Sequence, residues 1–280
     1  MSAVIMIVSA SAIIFSVKYG LLRGIHEVAN AMRWSAKTRG QLTGYATSVP
    51  ELVCLVSAGI AGVWDAGLWN IASSNIINTG LMLTAVLVYR QFNELLRFRF
   101  VDELSFATLA IFVPILLMSF QLDKHWFLVP VLLGFFALYQ WIDFRVNRST
   151  EEETDATNES GDSHEEHHAV GSLPFGVIIG LTALVAIIIA GVFLGDATAA
   201  VVQQLNIRPA IAGWILGVVT SIPEMVSFFA VYAASKREGT LDELNDTQEA
   251  LDNLTGSNMA NVGVVYPLGL AAFLLVTSVF

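Results

Sequence analysis

The chain has 280 residues, of which 55% are apolar and only 14% are charged. A soluble globular domain carries about 25% charged residues, so this composition excludes an ordinary soluble protein and predicts an all-α, polytopic membrane protein. The formal net charge is −10, but 14 of the 24 acidic residues lie in two segments, 151–168 and 237–252. The negative charge therefore belongs to two predicted loops, and we expect no nucleic-acid partner.

Eight apolar runs approach the ~20 residues that cross a bilayer, and we predict a transmembrane helix in each. The first run has no preceding basic region and no cleavage site typical of a secretory signal, so we interpret it as a membrane helix. The sixth run is longer than one upright crossing and predicts a tilted helix. The predicted spans are 3–22, 41–62, 66–89, 104–121, 126–144, 173–203, 209–234 and 254–279.

The basic residues predict the orientation of these spans. With the amino terminus outside, 12 of the 14 lysines and arginines fall in segments on the inner side, and only Lys124 and Arg208 fall outside. Cytoplasmic loops of membrane proteins carry such an excess of basic residues. We therefore expect both acidic loops to be cytoplasmic and the chain to lie in the plasma (inner) membrane.

The sequence contains an internal repeat. The stretch TGYATSVPELV at 43–53 matches LGVVTSIPEMV at 216–226, and SSNIIN at 73–78 matches GSNMAN at 256–261, in the same order. The predicted orientation places the first T-S-x-P-E motif on a helix that runs outward and the second on a helix that runs inward. Inverted repeats are typical of secondary transporters, which bind their substrate near the midplane of the membrane.

Each T-S-x-P-E motif places a proline inside a predicted membrane helix. Pro50 and Pro223 have no N–H, so we expect the carbonyls of Ala46 and Val219 to lose their helical partners. A freed carbonyl at membrane depth is tolerated only where protein or a polar cavity satisfies it. A bound cation would also satisfy it.

The two motifs also place a carboxylate, Glu51 or Glu224, at membrane depth, where the cost is at least about 2.5 kcal/mol and an ion path is the usual reason. The neighbouring polar groups are hydroxyls and amides, without histidine or thiolate. Such oxygen ligands suit hard cations such as calcium and sodium. The candidate ligands besides the two glutamates are Thr47, Ser48, Ser74, Asn78, Thr220, Ser221, Ser257 and Asn261.

On these motifs the chain resembles the cation/calcium antiporter superfamily, the group of the sodium/calcium exchangers. Its repeats carry G-T-S-x-P-E and then G-S-N-x-x-N or G-S-N-x-x-D, and the resemblance covers roughly 40–80 and 210–262. It implies alternating access by helices 1 and 6 sliding across the rest. The implied roles are central ligands for Glu51 and Glu224, backbone carbonyls for Thr47 and Thr220, flanking sodium sites for Ser48, Ser221, Ser74 and Ser257, and completion of the centre by Asn78 and Asn261.

The chain departs from the family pattern in two ways. Asn261 stands where several relatives have an aspartate, which leaves two acidic ligands and leaves the coupling ion and stoichiometry open. The usual plan has ten helices, and this chain reaches Phe280 after its eighth predicted helix. We therefore expect a first repeat half over 1–145, an acidic, histidine-containing cytoplasmic linker over 146–172, and a second half over 173–280 without the last two helices.

We predict an antiporter, not an enzyme, that exchanges Ca²⁺ for Na⁺ or H⁺ and needs no cofactor. A potassium-dependent or proton-coupled exchanger is the nearest alternative. A non-transporting ion sensor and an intramembrane hydrolase with a carboxylate dyad are alternatives of other classes, although no nucleophile–base pair accompanies Glu51 and Glu224. The oligomeric state and the direction of transport stay open.

Two further segments carry residue types that occur in metal sites. His164, His167 and His168 could bind a transition metal, but the composition favours a solvated linker. The acidic segment 237–252 lacks the spacing of an EF-hand loop, so we interpret it as a solvated loop.

Overall fold

A computed structural model describes residues 2–32, 34–158, 172–239, 241 and 244–279. The predicted histidine cluster at His164, His167 and His168 lies outside these residues. Every element in the described ranges is a helix. The elements are α1 (Ser2–Ser16), a π-helical turn (Val17–Leu21), α2 (Leu22–Met32), α3 (Ala36–Thr47), α4 (Val49–Ile60), α5 (Trp64–Val88), α6 (Phe92–Leu95), a 3₁₀ turn (Phe98–Phe100), α7 (Val101–Ser119), α8 (Leu128–Asn158), α9 (Leu173–Leu205), α10 (Pro209–Thr220), α11 (Ile222–Glu238), α12 (Leu244–Ala260), a π-helical turn (Asn261–Val265) and α13 (Tyr266–Val279).

Seven helical stretches within the described residues are long and apolar enough to cross a membrane. They coincide with seven of the eight predicted spans, so the prediction of an all-α membrane protein is confirmed. The eighth predicted span, 41–62, is built by α3 and α4, two helices of 12 residues each that meet at Ser48. Neither half reaches the length of a membrane crossing, and the two halves together do.

The helix break at Ser48 has a counterpart at Ser221. The backbone angles are φ −81° and ψ −4° at Ser48 and φ −81° and ψ −3° at Ser221, and a proline begins the following helix in both cases. The backbone N–H of Ser48 donates to Ala46 O, and that of Ser221 donates to Val219 O. Pro50 and Pro223 have no N–H to offer these two carbonyls, and the serine at each break supplies a donor from the protein instead.

Glycines let the half-helices approach their neighbours closely. Gly40 and Gly44 of α3 pack on α12, and Gly213 and Gly217 of α10 pack on α5. A Cβ atom on Gly44 would lie 2.6 Å from the backbone nitrogen of Ser257. Small residues four apart are the usual means of close helix packing in membranes. Because the two glycine pairs occupy equivalent positions of the two repeats, the same packing occurs twice.

The two half-helices start at opposite ends of the molecule. At the start of α3, Arg39 pairs with Glu249, close to the start of α12. From there the chain runs through α3 and α4 to the start of α5, where Asp65 pairs with Lys124 at 2.9 Å, and α10 begins beside this second end. The repeats are therefore inverted. We call the end that carries Lys37, Arg39 and Arg99 the basic end.

The acidic segment 237–252 differs from its prediction as a solvated loop. α12 begins at Leu244, and Asp246 and Asp252 are only 5% and 1% exposed. The start of α3 packs against the first turns of α12, where Arg39 forms an ion pair with Glu249. Composition alone predicted solvation because it could not show which basic residues meet these carboxylates in space.

The glycine packing gives a first prediction. Gly44→Ala places a methyl group against the backbone of α12 and should destabilise the protein by about 1–3 kcal/mol through overpacking. Thermal unfolding in detergent would measure the effect. Gly80→Ala is the matched control, because a Cβ there meets no described atom within 4 Å. An equal loss of stability in both variants would contradict the role of close packing.

Candidate cation site

Nine of the ten predicted ligand residues are connected to one another where the two broken helices face α5 and α12, and the tenth, Ser221, is buried at the second break. They come from four separate helical stretches. Each is at most 1% exposed, so the whole group is enclosed by protein. The central site, as we call it below, consists of Thr47, Ser48, Glu51, Ser74, Asn78, Thr220, Ser221, Glu224, Ser257 and Asn261.

Each glutamate of the central site accepts a hydrogen bond from a serine of its own repeat. Ser74 Oγ donates to Glu51 Oε1 at 3.1 Å, and Ser257 Oγ donates to Glu224 Oε1 at 3.0 Å. The glutamates lie in the first turns of α4 and α11, where the positive end of the helix dipole favours a negative charge. The two repeats therefore present their carboxylates in the same way.

The threonine hydroxyls lie beside the glutamate of the other repeat. The hydroxyl of Thr220 lies beside the Glu51 carboxylate, and that of Thr47 lies beside Glu224. The two carboxylates are close enough to interact electrostatically. None of the ion pairs within the described residues involves either of them. Two like charges thus share one enclosed space without a basic partner.

Amide groups also cross between the repeats and fix the direction of the hydrogen bonds. Asn261 Nδ2 donates to Ser74 Oγ at 3.2 Å, and Asn78 Nδ2 donates to Ser257 Oγ at 3.4 Å. Each serine therefore accepts from the amide of the other repeat and donates to its own glutamate. Each amide nitrogen donates to a serine hydroxyl, so the amide oxygen is the atom that remains available to another partner.

Four carboxylate and amide oxygen atoms of the central site have no hydrogen-bond partner among the described residues. They are Glu51 Oε2, Glu224 Oε2, Asn78 Oδ1 and Asn261 Oδ1, which form two pairs related by the repeat. A buried acceptor without a partner costs free energy. Carboxylate and amide oxygens are also the ligands of hard cations. The simplest chemistry for this arrangement is therefore the binding of a cation, whose charge two carboxylates would balance if it is divalent.

The two halves of the site are not packed identically. Ser48 Oγ lies 3.1 Å from Ser257 Oγ, whereas Ser221 Oγ has no hydrogen-bond partner among the described residues. In the second repeat, Asn261 begins a π-helical turn, while its counterpart Asn78 lies within the regular helix α5. Single π-helical turns are frequent at functional sites. The asymmetry indicates that the two repeats are held in different conformations.

Two asparagines that support the site were missed by the sequence analysis. Asn75 Oδ1 accepts from Asn261 Nδ2 at 2.9 Å, and Asn258 Oδ1 accepts from Asn78 Nδ2 at 3.4 Å. Each is the first asparagine of its S-N-x-x-N motif, directly after the serine, so the repeat already indicated both positions. Asn70, which accepts from Thr220 Oγ1 at 3.2 Å, lies outside the motifs and had no such signal.

Comparison with known proteins identifies relatives of the whole chain. A family model described as sodium/calcium exchanger protein matches residues 1–145 and 175–278. Structures of the sodium-calcium exchanger NCX_Mj share the fold. The one soaked with 2.5 mM Na⁺ and 0.1 mM Ca²⁺ has a TM-score of 0.54 at 18% identity over 99% of this chain and 88% of that chain. The one soaked with 100 mM Na⁺ and 10 mM Sr²⁺ has a TM-score of 0.53 at 19% identity over 99% and 89%. The search of curated proteins gives no match.

The missed asparagines give a second prediction. Asn75→Ala removes the acceptor that orients the Asn261 amide, and supporting groups of this kind are worth about 10–100-fold in metal affinity. We expect the dissociation constant for Ca²⁺, measured by calorimetry in detergent, to rise at least about tenfold. Thr84→Ala is the control on the same helix, since Thr84 Oγ1 bonds only its own helix at Gly80 O on the exposed face. An unchanged affinity in Asn75→Ala would show that Asn261 needs no orienting partner.

Proposed function

This chain belongs to the sodium/calcium exchanger family, and we propose that it moves Ca²⁺ across the membrane in exchange for Na⁺ or H⁺, bound in turn at the central site. The observation that carries the proposal is the set of four buried, unpartnered oxygens on Glu51, Glu224, Asn78 and Asn261. Hydroxyl groups and backbone carbonyls of the two breaks would complete the six to eight oxygens that Ca²⁺ takes.

The buried charge explains why the transport would be an exchange. Glu51 and Glu224 balance one divalent cation, and its departure would leave two bare carboxylates in an enclosed space. Such a state is strongly unfavourable. Na⁺ ions or protons must therefore enter as Ca²⁺ leaves. This requirement couples the exit of Ca²⁺ to the entry of Na⁺ or protons, and no additional structural element is needed for the coupling.

Both coupling ions are chemically compatible with the site. Na⁺ could bind beside the carboxylates at Ser74 and Ser257, which are oxygen donors of the kind that it prefers. A protonated Glu51 or Glu224 could instead donate its O–H to one of the unpartnered amide oxygens. The flux experiment below separates the two.

A cleft of about 490 Å³ approaches the central site from the basic end. It separates α2 from α11 and reaches Ser227 and Asn253. Asn253 Nδ2 donates to Ser227 Oγ at 2.5 Å, and Ser227 Oγ donates to the backbone oxygen of Glu224 at 2.9 Å. The cleft therefore ends within one helical turn of a central carboxylate. Its wall includes Leu22, Ile25, His26, Ala230, Val231 and Ala234.

The opposite approach is closed by α9. A Cβ atom on Gly191 would lie 2.6 Å from Val53 Cγ1, and Gly195 packs directly on Ser57 of α4. The first helix, meaning the stretch of α1, the π-helical turn and α2, also packs tightly on α9, because a Cβ atom on Gly24 of α2 would lie 2.8 Å from Gly180 Cα. We therefore assign this conformation to the state that faces the cytoplasm, with the first helix and α9 moving together to reach the other state.

Calcium flux tests the proposed exchange. Proteoliposomes that contain the chain should take up calcium-45 when a Na⁺ or a H⁺ gradient is imposed, and the gradient that drives uptake identifies the coupling ion. Glu51→Gln and Glu224→Gln should each reduce uptake to that of protein-free liposomes, because one negative charge no longer balances Ca²⁺. Glu94→Gln is the control, as Glu94 pairs with Arg97 outside the central site. Flux without a gradient would indicate a channel, and flux unaffected by both central substitutions would refute the proposal.

Thiol labelling tests the direction that the cleft faces. The one native cysteine, Cys54, is fully buried and can be replaced by alanine. In that background, Ala230→Cys lies in the cleft and should react with a membrane-impermeant thiol reagent added from the cytoplasmic side. Ser57→Cys occupies the equivalent position of the other repeat, covered by Gly195, and should stay unlabelled from the outside under the same conditions. Labelling of Ser57→Cys alone would reverse the assignment.

A further inference from the structure

A second group of buried carboxylates lies at the basic end, away from the central site. It consists of Glu103 on α7, Asp143 on α8 and Asp252 on α12, which are 2%, 5% and 1% exposed. One carboxylate oxygen from each lies within 4.8 Å of the others. Three helices that are distant in the sequence thus direct an acidic side chain to the same buried point.

The hydrogen bonds around this group leave two oxygens unsatisfied. Gln248 Nε2 donates to Asp252 Oδ2 at 2.7 Å and to Glu103 Oε1 at 3.4 Å. Arg99 Nη2 donates to Gln248 Oε1 at 3.0 Å, which fixes the orientation of that amide. Glu103 Oε2 and Asp252 Oδ1 have no hydrogen-bond partner among the described residues. Since both side chains are almost completely buried, these oxygens are available to a ligand within the group rather than to bulk solvent.

Two of the three carboxylates, Glu103 and Asp252, form no ion pair within the described residues. Lys37 Nζ lies 2.6 Å from Asp143 Oδ1, and Gln41 Nε2 donates to Asp143 Oδ2 at 2.8 Å. The carboxylate of Asp102 lies next to Glu103 as well. Arg99 is engaged by the amide of Gln248. When Glu103 and Asp252 are both ionised, a divalent cation would neutralise their two negative charges.

We propose that Glu103, Asp143 and Asp252 form a second site for a divalent cation of the calcium type. Ca²⁺ binds oxygens at about 2.3–2.6 Å, so ligands on opposite sides of the ion lie about 5 Å apart, in agreement with the spacing of the three carboxylates. Oxygen ligands alone favour such a hard cation over a transition metal. The site joins α7, α8 and α12, and it does not depend on transport at the central site.

A bound cation would connect this second site to the central site through α12. Asp252 precedes Ser257 by five residues on the same helix, and Thr255 Oγ1 donates to the backbone oxygen of Glu103 at 3.2 Å. A cation that holds Asp252 against Glu103 and Asp143 would fix the helix that also carries Ser257. Occupancy of the second site would therefore restrict the motion of one wall of the central site.

Calcium-45 equilibrium dialysis of the full chain in sodium-free detergent solution tests this proposal. The double variant E51Q/E224Q removes the charge of the central site and should still bind one Ca²⁺ per chain. Adding Asp252→Asn should weaken that binding at least about tenfold, the effect expected for the loss of a ligand or of its support. Adding Asp65→Asn should leave it unchanged, because Asp65 is an exposed carboxylate paired with Lys124.

A second variant separates loss of a ligand from loss of folding. Lys37→Gln removes the ammonium that competes for Asp143, so in the E51Q/E224Q background it should tighten Ca²⁺ binding several-fold. A misfolded chain would not bind more tightly. Failure of E51Q/E224Q to bind Ca²⁺, equal losses in Asp252→Asn and Asp65→Asn, or weaker binding in Lys37→Gln would each overturn the proposal. None of these results depends on whether the central site transports Ca²⁺.

Discussion

The electrostatic repulsion between Glu51 and Glu224 is the constraint to which the centre of the fold responds. Both carboxylates are fully buried, and neither takes part in an ion pair within the described residues. Each is instead placed in the first turn of a helix and receives a serine hydroxyl. These dipoles reduce the cost of the charge without cancelling it, which supports the cation binding that we propose. A basic partner would have neutralised the charge without a cation.

The glycines and the helix breaks are consequences of the same constraint. A helix N-terminus at membrane depth requires an interrupted helix. The serine and the proline at each break provide the interruption, and the serine N–H donates a hydrogen bond to a backbone carbonyl of the preceding turn. The serines that reach the glutamates lie on α5 and α12, which must approach the broken helices closely. Gly44 and Gly217 allow this approach. Replacing either glycine would therefore alter the distance from hydroxyl to carboxylate as well as the packing.

The sequence predicted the central site better than it predicted the surroundings. The duplicated motifs identified nine residues that the structure connects at the centre, because residues three or four apart share a helical face and the repeat gives the second half of the site. Asn75 and Asn258 were missed because their role depends on bonds between the repeats, which spacing along one helix does not show. The buried turn around Asp252 was predicted as a loop for a related reason. The residues from other helices that enclose this segment, Arg39, Arg99 and Glu103, converge on it only in three dimensions.

The duplication also explains how one chain can hold two packing arrangements of the same interface. Ser57 and Ala230 occupy equivalent positions of the repeats, yet Ser57 is covered by Gly195 of α9, whereas Ala230 lines the cleft beside α2. One copy of the interface is closed and the other is open in the same molecule. An exchange of these two arrangements would close the basic end and open the other end with contacts that the fold already contains. In the exchange that we propose, the ion at the central site would determine which of the two arrangements is populated.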